Sequence, residues 1–281
     1  MSSDGIRLLA FDLDGTLLDP EKRLSPGDAE ALRQAAGLGV ELVPATGRLL
    51  SAIPAEVLAL PGIRHVIAIN GAALCEYPSG RELHAALLAP GTALELMAYL
   101  DTLPVIYDCY MGGGAWMSRR HKALIDETVS DRHYRRMLHE LRKPVDELKA
   151  FVAACGKGVQ KIQLFTADND LRERLICELP QRFGGIVATS SVSSNVEINS
   201  ADATKGRALA RLSRMLGLPD SAVMAVGDGL NDFDMLTAAG ISVAMGNAHE
   251  DIKRLASYVT APNSDCGVAQ AVRKFIIGKD V

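Results

Sequence analysis

The 281-residue chain has five cysteines, Cys75, Cys109, Cys155, Cys177 and Cys266, with no CxxC pair and no Cys/His cluster at zinc spacing. A disulfide scaffold and a zinc module are excluded, and the usage is that of a reducing compartment. No window approaches the ~18 uninterrupted apolar residues that a membrane-spanning helix needs. The opening stretch MSSDGIRLLA has neither a basic segment nor a long apolar one, so the expectation is a cytoplasmic protein with no membrane partner. Positive charge is not in surplus: 30 Lys+Arg against 34 Asp+Glu leave a net charge of −4, which argues against a nucleic acid as partner. Repeats and low-complexity segments are missing too. What is present, 48% hydrophobic and 23% charged residues, is the composition of a folded globular chain. At ~150 residues per domain, the length predicts two domains.

The first part of the chain alternates strand and helix. Ile6 to Phe11 is an almost continuous apolar run, as in a strand buried on both faces of a parallel sheet. Ser25-Pro26-Gly27-Asp28 then supplies an N-cap, a proline at the first helical position and an early acid. Gly37 and Gly39 close that helix; Val40 to Pro44 reads as the next strand, Arg48 to Leu60 as a helix and His65 to Ile69 as a third strand. Such alternation predicts a doubly wound sheet. From about Leu87 to Val187 the rhythm changes, with isolated strands at Val105–Tyr110 and Val159–Phe165, which predicts an inserted domain. Within it, Arg119 to Lys149 is rich in charge and reads as solvated helix faces, or as a weak attractor of anions. After the Ser-rich stretch Ser190 to Ser194 the alternation resumes, with strands at Val196–Asn199, Ala222–Val226, Ile241–Met245 and Tyr258–Thr260. Helices are expected at Gly206–Leu216, Asp232–Ala239, Glu250–Ala256 and Val268–Ile277.

The segment Phe11-Asp12-Leu13-Asp14-Gly15-Thr16 places two carboxylates two residues apart at the C-terminal end of the first strand, where open α/β sheets bind ligands. Taken alone, the pair also fits a turn cap beside a solvated acid. Three other segments fall on the same edge of the sheet: Thr46-Gly47-Arg48 after the second strand, Lys205-Gly206 opening a helix, and Gly227-Asp228-Gly229-Leu230-Asn231-Asp232 after a later strand. Other patterns fail. Gly112-Gly113-Gly114 lacks the Lys-Ser/Thr of a phosphate loop and reads as a tight turn, and Gly227-x-Gly229 lacks the third glycine of a dinucleotide fingerprint. Neither a serine nucleophile elbow nor a metalloprotease helix is visible.

Together these residues resemble the haloacid dehalogenase (HAD) superfamily, whose motifs in chain order are DxDGT, a Ser/Thr after the second strand, a Lys and GDxxxD. The tail Val243-Ala244-Met245-Gly246-Asn247-Ala248, with Tyr258-Val259-Thr260 and Gly267-Val268, is similar to the Cof-type (type IIB) subfamily, in which a C2-class cap is inserted between the second and third motifs. The resemblance implies a Rossmann-like, doubly wound, parallel-sheet α/β core with an inserted α/β C2-type cap. The domains are then 1–84 (first core segment), 85–191 (cap) and 192–281 (second core segment). It implies a Mg²⁺-dependent phosphoric monoester hydrolase acting on small phosphorylated metabolites: sugar phosphates, nucleotides or phosphorylated cofactors.

The chemistry of the residues agrees with that reading. A carboxylate attacking a phosphate dianion needs a cation between them, and Mg²⁺, which takes oxygen ligands, suits the task. Asp12 is the candidate nucleophile, forming an aspartyl-phosphate intermediate, and Asp14 the candidate general acid/base, which requires a pKa above that of Asp12. The resemblance makes Asp12, Asp228 and the backbone carbonyl of Asp14 the metal ligands. Asp232 either orients a bound water or Lys205, or sits in the first turn of a helix, stabilised by its dipole. Thr46 offers a hydroxyl, Gly47 and Leu13 their N–H groups and Lys205 a positive charge to the phosphoryl oxygens. Asn231 matches a substrate-contacting position of the subfamily and equally fits an N-cap. Arg48 either touches phosphate or begins a helix. Two alternatives stand beside hydrolysis: a phosphotransferase or phosphomutase of the same superfamily, and a non-catalytic phosphate-binding regulator, which would have no use for Asp14.

Overall fold

The computed structural model describes residues 5–190 and 194–278. The chain forms two compact units, one of Met1–Ala85 with Thr204–Val281 and the other of Ala86–Ala203. In the first, a parallel sheet runs Tyr258–Val259, Ile241–Ala244, Val223–Gly227, Leu8–Phe11, Glu41–Pro44. Leu8, Leu9, Ala10 and Phe11 are all fully buried, as the continuous apolar run requires of a central strand. His65–Ala68 runs parallel beside the Glu41–Pro44 strand, through Leu42 N–H to Gly62 O (3.0 Å) and Thr46 N–H to Ile67 O (2.8 Å). It then turns into an antiparallel meander with Ala73–Glu76 and Glu82–Ala85.

Ser25 caps the Pro26–Gly37 helix as its sequence predicts, accepting from the Asp28 N–H at 3.0 Å. Asp28 is buried and accepts in turn from the Ala269 N–H at 2.7 Å, tying this helix to the start of the Gly267–Val272 helix. The helix expected over Arg48–Leu60 is broken into a 3₁₀ turn, Leu50–Ala52, and one helical turn, Ala55–Leu58. Pro54 is the cause. It has no N–H to continue the ladder and drives Ile53 into an extended conformation (φ −76°, ψ 133°).

The second unit is built on a six-stranded sheet of order Ile186–Thr189, Asn195–Ser200, Lys161–Phe165, Ile106–Met111, Gly114–Ser118, Arg142–Val145. The Asn195–Ser200 strand, expected in the core sheet, pairs here instead, antiparallel to both neighbours. Its sequence explains the difference: Val196 and Ile198 alternate with Asn195, Glu197 and Asn199, whereas the central core strands Leu8–Phe11 and Val223–Gly227 carry no polar side chain. The expected boundary between 191 and 192 lies outside the described residues, and the contacts divide the chain at Ala203–Thr204. Gly112 and Gly113, both at positive φ, form the two-residue turn of the hairpin between Ile106–Met111 and Gly114–Ser118, with Met111 opposite Gly114. One face of the sheet packs Tyr107, Cys109, Ile162, Leu164, Val196 and Ile198 against the Pro90–Leu100, Leu148–Cys155 and Asn169–Arg182 helices. The charged segment from Arg119 is not wholly a solvated face: Arg142 is buried and its Nε donates to Asp108 at 2.6 Å. Among the described residues no helix is long and apolar enough to cross a membrane.

Candidate active site

The C-terminal ends of three adjacent parallel strands deliver the first set of groups. After Phe11 the chain folds into a tight turn. The Leu13 carbonyl accepts from the Thr16 and Leu18 N–H groups, at 3.3 and 2.8 Å, and the buried Leu13 side chain anchors the turn. Gly15 has φ +88°, and a Cβ there would lie 2.3 Å from Asp228 Oδ2, so only glycine lets the two motifs approach this closely. Thr16 donates its hydroxyl to Asp228 Oδ1 at 2.6 Å. Asn247, from the tail motif, donates to the Gly15 carbonyl at 2.8 Å and accepts from the Asn263 N–H at 2.9 Å.

Lys205 is the first residue of the Lys205–Met215 helix, which is capped by Thr204, and its side chain is fully buried. Its ammonium donates to Asp12 Oδ1 at 2.6 Å and to Asp232 Oδ1 at 2.7 Å. The second oxygen of Asp232 accepts from the N–H groups of Asp228 (2.9 Å) and Gly229 (3.0 Å). Asp232 is thus buried between the Lys205 ammonium and the N–H groups of the acidic loop, at the start of the Phe233–Ala238 helix. Oxygens of Asp12, Asp228 and Asp232 lie within 4.8 Å of one another, a donor set that a hard divalent cation fits. Both Asp232 oxygens are already engaged, which leaves Asp12 and Asp228 as the carboxylates to face such an ion.

The electrostatics of the two motif aspartates reverse the expected order. Burial, and then the nearby charges of Asp232, Asp228 and Asp14, push the Asp12 carboxyl up against the opposing pull of Lys205. Burial and Asp232 push Asp228 up to about 6. Burial would raise Asp14 too, but the hydrogen bonds and charge of Arg48, followed by those of Lys22, overcome it and hold Asp14 far below the ordinary carboxylate range. Lys205 is kept charged because Asp12 and Asp232 outweigh its burial. The cause at Asp14 is geometric. Arg48 forks its carboxylate through Nε and an Nη, each at 2.7 Å, and Lys22 approaches at 2.9 Å. Arg48 thus neither begins a helix nor stands free for a phosphate in this state.

Thr46 is buried at the end of the second strand, and its hydroxyl accepts from the Arg48 N–H at 3.2 Å. Gly47 lies against Asn70, whose Oδ1 would be 2.9 Å from a Cβ placed on Gly47. Asn231 sits in a 3₁₀ turn, Leu230–Asp232, and donates to Asn70 Oδ1 at 3.3 Å; it caps no helix. All the residues expected at the site belong to the first unit. Lys22 and Asn70 were not expected. An Asn-Gly pair directly after an apolar strand is the turn signal that marks Asn70; Lys22 carries none.

A parallel sheet with a carboxylate pair after its first strand, a buried lysine and a second acidic loop defines a class, and comparison with known proteins identifies it. The family model for haloacid dehalogenase-like hydrolases matches residues 9–272. The chain belongs to that family of hydrolases. It is 33% identical to Phosphatase YwpJ of Bacillus subtilis, over 96% of this chain and 100% of the relative. It is 29% identical to the 5-amino-6-(5-phospho-D-ribitylamino)uracil phosphatase YcsE of the same organism, over 97% and 96%. A solved haloacid dehalogenase-like hydrolase from B. subtilis superimposes with a TM-score of 0.82 at 31% identity, covering 95% of this chain and 99% of that one. The inserted α/β unit agrees with the Cof-type resemblance.

Proposed function

We propose that the chain is a divalent-metal-dependent phosphatase of small phosphorylated metabolites that works through an aspartyl-phosphate on Asp12. The observation that carries this is the cluster of buried Asp12, Lys205 and Asp232 with half-buried Asp228 at the strand ends, beside the Thr46–Gly47 loop. Asp12 attacks phosphorus in line; the new bond is Asp12 O–P, and the ester P–O bond breaks. Lys205 holds Asp12 in place and offsets the charge that collects on the phosphoryl oxygens, to which the Thr46 hydroxyl and the Gly47 and Leu13 N–H groups would also donate. Asp14 gives a proton to the departing alkoxide, then accepts one from the water that releases phosphate from Asp12.

For Asp14 to play this part its pairs with Arg48 and Lys22 have to open. A bound phosphoryl dianion is the group that competes for both cations, and transfer of the Arg48 fork to it returns Asp14 toward an ordinary pKa. Asp12, Asp228 and the Asp14 carbonyl would hold Mg²⁺, which when bound screens the repulsion between Asp12 and the incoming dianion. Asn231 contacts the phosphoryl group from the opposite loop. Sugar phosphates, nucleotides and phosphorylated cofactors are the substrate classes; YcsE, named for a ribityl-pyrimidine phosphate, supports that range. Five unpaired cysteines support a cytoplasmic setting.

The test is phosphate release from a panel of such esters with Mg²⁺. At least one ester should stand well above a generic aryl phosphate in kcat/KM. No release from any ester refutes the reading, and release that depends on an added sugar acceptor favours the phosphotransferase instead.

A further inference from the structure

The turn that follows the His65–Ala68 strand has three consecutive left-handed residues, Ile69 (φ 55°), Asn70 (φ 56°) and Gly71 (φ 90°). Glycine takes this conformation freely and asparagine tolerates it, but for a β-branched isoleucine it is an outlier. Such strain persists only where the surroundings over-determine it, and it concentrates at functional sites. Here the surroundings are three of the chain's four motifs. The Ile69 N–H donates to the Arg48 carbonyl and the Asn70 N–H to the Thr46 carbonyl, both at 3.0 Å, so the turn is laced to the phosphate loop. A Cβ on Gly71 would lie 2.2 Å from the Thr204 carbonyl oxygen and 2.9 Å from the Lys205 nitrogen, so the same turn is pressed on the start of the lysine helix. Asn70 itself is 6% exposed; its Oδ1 accepts from Asn231 Nδ2 and covers Gly47.

We infer that Asn70 is a positioning residue. Its carboxamide holds Asn231 and the Gly47 loop at a fixed separation around the bound phosphoryl group, while the turn that presents it sets both against Lys205. Residues from sequence positions 46–48, 204–205 and 231 meet at this one turn, and none of these segments is a sequence neighbour of another. The role rests on the phosphatase reading of the site and adds to it a residue that acts through Asn231 and Gly47. A phosphoryl group is held in the ground state and the transition state alike, so loss of this support raises KM more than it lowers kcat.

The experiment is a double-mutant cycle with Asn70→Gly and Asn231→Ala, measuring kcat and KM for an aryl phosphate, the inhibition constant of inorganic phosphate, and Tm. Glycine keeps the left-handed backbone and removes only the carboxamide. Asn70→Gly is expected to raise KM and the phosphate inhibition constant about tenfold, equivalent to roughly 1.4 kcal/mol, with kcat changed less and Tm little changed. The double variant should lose less than the product of the two single losses, because part of the Asn70 effect runs through Asn231. Losses that multiply, wild-type constants in Asn70→Gly, or a fall in kcat and Tm together would overturn the inference. Should the glycine variant not fold, Asn70→Asp keeps the shape, the left-handed tolerance and the acceptor for Asn231, but puts a negative charge on Gly47. It should keep its Tm and weaken phosphate binding by more than tenfold, and unchanged phosphate binding overturns the role. A wild-type chain that hydrolyses no ester brings down the phosphatase reading itself, whereas an active wild type with an indifferent Asn70 brings down this inference alone.

Discussion

Replacing Lys205 by methionine tests the buried cluster at its centre. The side chain is fully buried, and its ammonium is shared between Asp12, 8% exposed, and Asp232, fully buried. Methionine has similar length and no charge, so packing is largely kept while both carboxylates lose their cation. Removing one partner of a buried ion pair costs about 3–5 kcal/mol. Two pairs are broken here, yet the cost should not double. Asp232 keeps the N–H groups of Asp228 and Gly229 on its other oxygen, and Asp12, already pushed toward its neutral form, escapes by taking a proton. A total of about 3–5 kcal/mol converts to a fall of roughly 6–20 °C in Tm for a unit of this size. The assay is thermal unfolding followed by circular dichroism near pH 7, in excess chelator so that no divalent ion replaces the lost charge. Asp232→Asn alone should cost less, since Lys205 keeps Asp12. Lys205→Met with Asp232→Asn should be more stable than Lys205→Met alone, because one uncompensated carboxylate has gone. A Lys205→Met protein that melts within about 2 °C of wild type, or a double variant less stable than either single one, would refute the reasoning.

Asp12→Asn should lower kcat by about 10⁴ or more, roughly 5.4 kcal/mol of barrier, with folding intact; a folded variant that keeps a tenth of wild-type turnover removes Asp12 as nucleophile. Chelator should abolish phosphate release and Ca²⁺ should fail to restore it, because Ca²⁺ takes more and longer oxygen bonds and can engage both oxygens of Asp12. Normal rates with Ca²⁺ contradict that geometry, and full turnover in excess chelator contradicts the metal mechanism. His121, in the second unit, is 9% exposed, and burial lowers its pKa. The unfolded chain then binds the extra proton more readily than the folded one, so His121 should weaken folding as pH falls from about 7.5 through ~6.5 and below. Denaturant unfolding at pH 7.5 and 5.5 should show a smaller pH dependence in His121→Gln, and an equal dependence in the two proteins removes His121 as its source.

Much of the first unit was legible because its signals are local. A parallel strand buried on both faces is apolar from end to end, as Leu8–Phe11 is, and Ser25-Pro26-Gly27-Asp28 carries its own cap. Each motif follows a strand or opens a helix, so chain order alone placed Asp12, Thr46, Lys205 and Asp228 on one edge. The Asn195–Ser200 strand reads as a core strand in the sequence yet pairs in the other sheet, because an alternating run fixes a strand but not its partner. The helix over Arg48–Leu60 failed at Pro54, a local signal that apolar periodicity concealed.

The pairings at the site were hidden for a different reason. Arg48 and Asp14 lie 34 positions apart, Asn70 and Asn231 161 apart. Spacing says which residue types share a loop, whereas the direction of a side chain is set by what the tertiary fold puts opposite it. Asp12 and Asp14 therefore read as similar carboxylates in the sequence, two positions apart and alike in type. In the fold one is buried among three other acids with a single lysine, and the other is gripped by two cations. The charge state of each follows from those neighbours. On the proposed mechanism, the acid/base task of Asp14 depends on the two cations moving away, which would make Arg48 and Lys22 part of the chemistry and not of the scaffold.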